Sequence, residues 1–321
     1  FKPVFAARST VFSESRLKDA RPETRRPEDF DDFWDTTLDE VARGRGDFKE
    51  VLDNSRSDSR MQLYRFSFKS LGGRRVRGWL CVPASGAVGP AILLLPGYSD
   101  GSKFIPLQLI ERGCAVMALD PRGHGESVRE GSRRFPGFIS ENVLDRLRYP
   151  YRGVYMDCLV AVRHLLSHPR VDGGRVGVMG MSQGGGLALI TASFERNVAF
   201  AIADSPFLAD MVRGIRLATD GPYVELAEYL DKRPSTREKV LENLSYFDAV
   251  NFAERVACPT LMCVGLMDTI CPPITAYATY NTLRCIKRID TYPRMGHFCG
   301  VYGHQDRKIE WIKKCLRLCD G

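Results

Sequence analysis

The sequence predicts an α/β fold in which helices cover both faces of a mostly parallel sheet. Two observations support this prediction. From residue 91 onward, short apolar runs typical of buried strands alternate with helical stretches. Apolar strands that alternate with helices are typical of a parallel sheet covered on both faces. A hairpin precedes them, and it fits an antiparallel edge on the same sheet.

The polar, proline-punctuated start of the chain becomes helical from about residue 28. Pro27 and the acidic residues after it suit a helix start. Apolar residues then recur at helical spacing and form one stripe. The stripe comprises Phe30, Phe33, Trp34, Leu38 and Val41. We interpret residues 1–45 as an N-terminal arm that packs on the main body.

The main body begins with two strands of alternating character, Met61–Lys69 and Arg75–Val82, joined by a hairpin turn at residues 71–73. Strands and helices alternate from there. The later predicted strands are Ala91–Leu95, Ala115–Leu119, Arg175–Met179, Val198–Ala203, Thr260–Val264 and Lys287–Thr291. The predicted helices are Phe104–Glu111, Val154–Leu166, Gln183–Ala192, Ile274–Leu283 and Gln305–Leu318. With no linker or repeat, we expect one domain over residues 1–321.

Residues 206–251 are too many for a simple connection between a strand and the next. Their apolar residues have helical, amphipathic spacing. Insertions of this length are usually functional, so we expect a lid over a site or a contact between subunits.

Composition excludes some classes of function. The 321 residues include 46 Lys and Arg against 39 Asp and Glu, a net charge of +7. The basic residues are scattered, and we interpret even their densest groups as solvated faces, so no nucleic-acid partner is expected. No apolar run approaches the ~18 residues of a membrane span, so no membrane partner is expected either.

The placement of the ten cysteines argues against a disulfide framework. Cys81, Cys114 and Cys263 lie in strand-like apolar runs, and Cys158 lies in a helical one, where cysteine usually behaves as a small buried hydrophobe. No cysteine pair combines with histidine at zinc-finger spacing, so no metal is expected. Reduced thiols favour a cytoplasmic protein. The first eight residues cannot serve as a signal peptide, and a leader removed before them is the alternative.

The segment Gly180-Met-Ser182-Gln-Gly184 is the most informative one for chemistry. It follows a predicted buried strand and opens a predicted helix. This is the context of the nucleophile elbow of α/β-hydrolases, where the serine occupies a strained turn and small neighbours let strand and helix come close. Ser182 is therefore the candidate nucleophile, and an ordinary tight turn is the alternative.

A serine hydroxyl needs a base, and in this fold the acid and the histidine follow the serine in chain order. Asp268 comes just after the strand Thr260–Val264, and His297 lies between the last strand and the last helix. His304 is a weaker candidate base, and His124 comes too early in the chain. The remaining histidines, His164 and His168, lie four apart on a predicted helix without a zinc-protease pattern, and we interpret them as surface residues.

Two backbone amides are candidates for stabilising an oxyanion. The N–H of Gln183 lies at a helix N-terminus, and the N–H of Tyr98 lies in a glycine-rich loop after the predicted strand Ala91–Leu95. The alternative is that the Tyr98 loop is a simple glycine-rich turn with no role in catalysis. Arg122, in the loop after the next strand, is expected to brace neighbouring loops through bidentate hydrogen bonds.

These residues, in this order, resemble the acetyl xylan esterase / cephalosporin C deacetylase family (carbohydrate esterase family 7). The likeness runs from about Pro27 to the last helix. Its motifs are Phe-Asp-Asp-Phe-Trp (30–34), Asp-Pro-Arg-Gly (120–123), Gly-Met-Ser-Gln-Gly-Gly-Gly (180–186), Gly-Leu-Met-Asp (265–268) with Pro-Pro (272–273), and Gly-His (296–297). The resemblance implies deacetylation of small sugar esters, no metal or other cofactor, and a homo-oligomer, commonly a hexamer. It also matches Tyr98 to the family's oxyanion tyrosine.

Three residues depart from the family pattern. Pro96 replaces a histidine, His124 replaces a glutamine, and Phe298 replaces a glutamate. All three flank the predicted site without removing a catalytic group, so the chemistry is expected to hold, and a divergent branch that acts on another ester is an alternative. The main prediction is a serine esterase acting on acetylated xylo-oligosaccharides or cephalosporin-like esters. The alternatives are another acyl hydrolase or peptidase with a changed pocket, or a non-catalytic scaffold.

Overall fold

A computed structural model describes residues 12–44, 47–101, 106–128 and 135–318. The strands are β1 (Lys49–Leu52), β2 (Met61–Ser70), β3 (Arg74–Pro83), β4 (Gly89–Leu95), β5 (Ala115–Asp120), β6 (Val171–Met181), β7 (Phe200–Asp204), β8 (Thr260–Gly265) and β9 (Lys287–Tyr292). They form one sheet in the order β1-β2-β3-β5-β4-β6-β7-β8-β9. The first three strands pair antiparallel, and β3 meets β5 antiparallel. All pairings from β5 to β9 are parallel, which confirms the predicted fold class.

Helices precede the first strand, connect several of the strands and follow the last one. They are α1 (Glu14–Lys18), α2 (Phe30–Arg43), α3 (Leu107–Ile110), α4 (Pro150–Leu166), α5 (Gln183–Phe194), α6 (Met211–Leu217), α7 (Pro222–Lys232), α8 (Arg237–Ser245), α9 (Pro273–Thr282), α10 (Cys299–Tyr302) and α11 (Gln305–Leu316). The predicted helix Phe104–Glu111 is shorter in the structure, and its first two residues lie outside the described ranges. Within those ranges, no helix is long and apolar enough to cross a membrane.

Two hydrophobic cores lie on opposite faces of the sheet. Successive residues of β4 alternate between them, since Leu93 belongs to the larger core and Ile92 to the smaller one. Helices α4, α5 and α9 contribute to the larger core, while α3 and α11 contribute to the smaller one. A strand covered on both faces buries every side chain, so β4 reads as a continuous apolar run.

The N-terminal arm packs through the predicted stripe on α2. Trp34 is fully buried, and its indole N–H donates to the carbonyl of Tyr246 at 3.0 Å. The ring of Phe30 meets that of Phe252 edge-on, with centroids 4.9 Å apart. These contacts attach the arm to the end of the insertion and to the residue that follows it. The insertion itself contains α6, α7 and α8, which confirms its predicted helical content.

The structure corrects the interpretation of His164 and His168 as surface residues. His168 is buried, and both rings face Glu50 on β1, a short edge strand that the sequence pattern did not reveal. The two Nε2 atoms lie 3.1 and 3.4 Å from the Glu50 carboxylate oxygens. Burial opposes ionisation of Glu50, but hydrogen bonds from the two histidines outweigh it and lower its pKa to about 2. The cluster therefore fastens the edge strand to α4.

This arrangement predicts a pH-dependent contribution to stability. The pKa of Glu50 is lower in the folded chain than its ordinary value of 4.5, so its contribution is present above pH 4.5 and is lost as the pH falls towards 2. We expect Glu50→Gln to destabilise the protein near pH 6 and to have a progressively smaller effect towards about pH 3. Urea unfolding of both proteins across this range measures the difference. A difference that does not change with pH would contradict the role of the ionised carboxylate.

Candidate active site

Ser182 occupies the turn between β6 and α5. Its backbone has φ 57° and ψ −122°, a conformation that non-glycine residues rarely adopt. The turn also needs small neighbours. A Cβ on Gly180 would lie 2.5 Å from the carbonyl carbon of Gly184, and one on Gly184 would lie 2.2 Å from the carbonyl oxygen of Leu95. The structure thus confirms the strand–turn–helix context predicted for this motif.

Asp268 and His297 form a hydrogen-bonded pair. His297 Nδ1 lies 2.8 Å from Asp268 Oδ2, and both side chains are almost completely buried. The other carboxylate oxygen, Oδ1, accepts the N–H groups of Ile270 at 2.9 Å and Cys271 at 2.8 Å. The carboxylate is therefore held from both sides. With Nδ1 bonded to it, the imidazole offers Nε2 for proton transfer.

Strand topology brings the three predicted residues to one edge of the sheet. Ser182 follows β6, Asp268 follows β8, and His297 follows β9. These strands are parallel members of one sheet, so their carboxyl ends share an edge. The end of β7 supports the elbow, because the Ser182 N–H donates to the Asp204 carbonyl at 2.8 Å.

Cys271 is an unpredicted neighbour of the nucleophile. Burial raises the pKa of its thiol well above the usual value, nearby Asp268 raises it further, and a hydrogen bond with Ser182 opposes these effects. The thiol therefore stays protonated and is available to orient the serine hydroxyl. Nothing in the sequence pattern separates this cysteine from the other buried ones.

Tyr98 links its loop to the helical insertion. Its hydroxyl donates to Glu225 Oε2 on α7 at 2.9 Å and accepts the N–H of Ile139 at 3.0 Å. The same Glu225 oxygen accepts the N–H of Gly137 at 2.6 Å. The insertion thus fixes the loop that carries the Tyr98 amide. Sequence reasoning missed Glu225 because a single acid on an amphipathic helix gives no signal.

The side chain of Gln183 connects the elbow to two more loops. Its Oε1 accepts the Tyr151 hydroxyl at 2.7 Å. Its Nε2 lies 2.8 Å from His124 Nε2 and 3.4 Å from the carbonyl oxygens of Pro96 and Gly97. The Gln183 side chain therefore connects the start of α5 with the loop that carries the Tyr98 amide.

Comparison with known proteins agrees with this geometry. The family model for acetyl xylan esterase (AXE1) matches residues 11–315. This chain belongs to the acetyl xylan esterase family. It is 30% identical to the acetyl esterase Axe7A of Xylanibacter ruminicola over 318 residues, covering 95% of this chain and 70% of that protein. As a member of the family, it is a carboxylic ester hydrolase that acts on small acetyl esters.

Two solved acetyl xylan esterases share the fold over nearly the whole chain. Acetyl xylan esterase 1 from Thermoanaerobacterium sp. JW/SL YS485 is 31% identical, with a TM-score of 0.87 over 95% of this chain and 99% of that one. The enzyme from Paenibacillus sp. R4 is also 31% identical, with a TM-score of 0.86 over 94% and 99%. An acylaminoacyl peptidase from Pyrococcus horikoshii, at 16% identity and a TM-score of 0.60 over 81% of this chain and 43% of that one, shares the α/β-hydrolase fold.

His124 departs from the esterase family pattern but keeps a bracing role. Burial lowers its pKa, so the ring is neutral. Nδ1 lies 3.1 Å from the carbonyl oxygen of Arg122, which leaves Nε2 to accept the Gln183 amide. Because the Gln183 amide occupies Nε2, that nitrogen is not available for proton transfer from Ser182. Like Pro96, it serves as an acceptor that holds the Gln183 side chain.

Arg122 has the bracing role that the sequence predicted. Its Nε and Nη2 atoms donate to the two carboxylate oxygens of Asp157 at 2.9 and 2.7 Å, and Nη2 also donates to the Leu71 carbonyl at 3.1 Å. Asp157 is completely buried on α4. This planar, bidentate pair therefore connects the loop after β5 with the hairpin and with α4.

His304, the weaker candidate base, lies in a different environment from His297. It is completely buried, and its Nδ1 lies 2.8 Å from the Tyr292 hydroxyl. Burial lowers its pKa, and no contact of the described residues joins it to Ser182. The structure therefore favours His297 over His304 as the base.

Two side-chain groups in the described chain have the composition of metal sites, namely Glu50 with His164 and His168, and Asp204 with Cys263 and His304. In the first group, the Arg170 N–H donates to His168 Nδ1 at 3.2 Å. The proton of this ring is therefore on Nε2, facing Glu50, and no lone pair is available there for a metal.

The contact between His124 and Gln183 gives a testable prediction. His124→Ala leaves the buried Gln183 amide without this acceptor, which costs about 1–3 kcal/mol of unfolding free energy and lowers esterase activity. His124→Gln introduces the residue of the family pattern, whose amide oxygen can accept the same hydrogen bond. This variant should retain most of the stability and most of the esterase activity. Urea unfolding and initial rates on p-nitrophenyl acetate measure the two effects. Equal losses in the two variants would contradict the bracing role.

Proposed function

We propose that this esterase removes acetyl groups from acetylated sugars such as xylo-oligosaccharides, with Ser182 as nucleophile, His297 as general base and Asp268 orienting the histidine. The hydrogen bond of 2.8 Å between His297 Nδ1 and Asp268 Oδ2 carries the proposal. It lies at the sheet edge where the strained Ser182 turn also ends. Membership of the acetyl xylan esterase family supports the acetyl group as the part removed.

In the first step, His297 Nε2 takes the Ser182 hydroxyl proton while the serine oxygen attacks the acetyl carbonyl. The Asp268 carboxylate holds the required tautomer and stabilises the imidazolium that forms. Because two backbone N–H groups already bind the other carboxylate oxygen, Asp268 needs little reorganisation during the reaction.

The backbone amides of Gln183 and Tyr98 are the proposed donors to the tetrahedral oxyanion. Gln183 is the first residue of α5, so its N–H belongs to a helix N-terminus. The Tyr98 loop is held by Glu225 and by the Gln183 side chain. Fixed donors of this kind stabilise charge as it develops without rearranging.

The second step returns the enzyme to its starting state. His297 protonates the leaving sugar oxygen, which releases the alcohol and leaves an acetyl group on Ser182. A water molecule, deprotonated by His297, then attacks the acetyl-enzyme. Acetate departs and Ser182 regains its proton.

Phe298 makes the mouth of the site less polar than the family pattern implies. Its ring is 52% exposed and lies 5.5 Å from the His297 ring, centroid to centroid. Met267, beside Asp268, is 64% exposed. An apolar wall next to the base favours an alcohol or acyl group with an apolar face. We therefore infer that the preferred ester differs from that of family members with a glutamate at this position.

The test is hydrolysis of p-nitrophenyl acetate, butyrate and octanoate by the wild type and by Ser182→Ala. We expect activity to be highest on acetate, to fall with acyl length, and to drop at least ~1,000-fold in the variant. Acetate release from acetylated xylo-oligosaccharides then tests whether the alcohol part of the substrate is a sugar. Equal activity in wild type and variant would contradict the Ser182 mechanism, and a preference for longer chains would favour another acyl hydrolase.

Phe298→Glu restores the family residue and tests the proposed pocket. We expect KM for acetylated sugars to fall and KM for apolar alcohol esters to rise, while kcat changes little, because the substitution alters binding beside the base rather than the reacting groups. Steady-state kinetics on both substrate classes measure KM and kcat separately. Unchanged KM values for both classes would exclude Phe298 from the substrate site.

We also propose that the chain forms a homo-oligomer, with a hexamer as the assembly that the family resemblance implies. Light scattering coupled to size-exclusion chromatography gives the mass in solution. A mass of six chains supports the hexamer, and a monomer at working concentration would contradict any stable assembly.

A further inference from the structure

Near the carboxyl ends of β7 and β8, four side chains form a buried group that has no role in the proposed reaction. They are Asp204 at the end of β7, Cys263 on β8, Cys299 at the start of α10, and His304 just before α11. None of the four is more than 2% exposed. We call these four residues the rear cluster.

The donor atoms of Asp204, Cys263 and His304 have the spacing of ligands around one small ion, and Cys299 Sγ lies next to that of Cys263. Cys263 Sγ lies 3.2 Å from Asp204 Oδ1 and 3.5 Å from Cys299 Sγ. His304 Nε2 lies 3.9 Å from Asp204 Oδ1, and the donor atoms of Asp204, Cys263 and His304 all lie within 4.8 Å of one another. A tetrahedral zinc ion with ligand bonds of 2.0–2.3 Å separates its ligand atoms by about 3.3–3.8 Å. Small side-chain movements are therefore enough to reach that geometry.

The Nε2 atom of His304 faces the rear cluster. Its Nδ1 lies 2.8 Å from the Tyr292 hydroxyl, whereas its Nε2 is buried without a hydrogen-bond partner among the described residues. A buried polar atom without a partner is costly. Metal-bound histidines usually make a hydrogen bond through the other ring nitrogen, as His304 does with Tyr292. A metal ion on Nε2 would satisfy this atom.

Lys308 occupies one side of the Asp204 carboxylate and leaves the other for a ligand. Its ammonium group donates to Asp204 Oδ2 and to the Gly300 carbonyl, each at 2.7 Å. Oδ1, the oxygen nearest Cys263, lies on the other side. A divalent ion with two thiolates, one carboxylate and the Lys308 ammonium gives no net charge, which favours burial of the whole group.

We propose that Asp204, Cys263, Cys299 and His304 bind a divalent transition metal ion, with zinc as the first candidate, in a structural site. Aspartate, cysteine and histidine are all zinc ligands, and four protein ligands leave no open position for catalysis. Binding converts the two thiols to thiolates and releases their two protons to solvent. The ion would connect β7 and β8 with α10, which begins two residues after His297, and with the start of α11.

The sequence expectation of no metal relied on the absence of closely spaced zinc ligands. In the rear cluster, the first two ligands are 59 residues apart and the two cysteines 36 residues apart. Parallel strand order brings them together, so only the fold reveals the group.

Cobalt provides a direct test, because thiolate ligands give Co²⁺ an intense near-ultraviolet charge-transfer absorption. The full chain is reduced, stripped with a chelator and titrated with Co²⁺. We expect this absorption to saturate at one ion per chain and to disappear when Zn²⁺ is added. Added Zn²⁺ should also raise the thermal unfolding midpoint, since it binds only the folded state.

Cys263→Ser and Cys299→Ser are the test variants, and Cys285→Ser is the matched control at a thiol near Thr260. Loss of a direct ligand should weaken metal binding at least ~100-fold, while the control binds like wild type. Circular dichroism establishes that each variant is folded. The proposal is overturned if the wild type shows no thiolate–cobalt absorption, if both test variants bind as wild type does, or if the reduced protein forms a Cys263–Cys299 disulfide with hydroperoxide in the presence of excess Zn²⁺.

Discussion

The close approach of strand and helix at the Ser182 turn is the constraint on which the rest of the site depends. Gly180 and Gly184 leave no space for a Cβ, and this lets α5 begin directly against the end of β6. The side chain of the first helical residue, Gln183, then contacts the Pro96 and His124 loops and Tyr151 on α4. A larger residue at either glycine would separate the serine, the helix N-terminus and these loops at once. Strain at one turn therefore determines the geometry of several elements.

The same edge of the sheet supplies the other groups, and the supporting contacts are mostly buried and polar. Asp268 receives two backbone N–H groups on the oxygen that does not face His297. Arg122 is held by Asp157, and Tyr98 by Glu225 on the insertion. Buried hydrogen-bonded networks of this kind are costly to disturb, so they keep loops from four strands in register with one another.

Local patterns in the sequence predicted the parallel sheet, the elbow and the positions of Asp268 and His297. These features depend on apolar runs, on glycine at a tight turn and on chain order, all of which are visible in short segments. Glu225, Cys271, the edge strand β1 and the rear cluster were not predicted. The role of each depends on a contact with a residue far away in the sequence. Glu225, for example, accepts a hydrogen bond from Tyr98, which lies 127 residues earlier. Only the strand order makes such pairs neighbours.

The most direct test of the account is covalent labelling with a small fluorophosphonate, followed by peptide mass spectrometry. Only a serine activated by its surroundings reacts quickly with such a reagent. We expect one added group per chain, located on Ser182, with labelling slowed by orders of magnitude in His297→Ala. Labelling at another serine, or equal rates with and without His297, would contradict the proposed roles of the elbow and the Asp268–His297 pair.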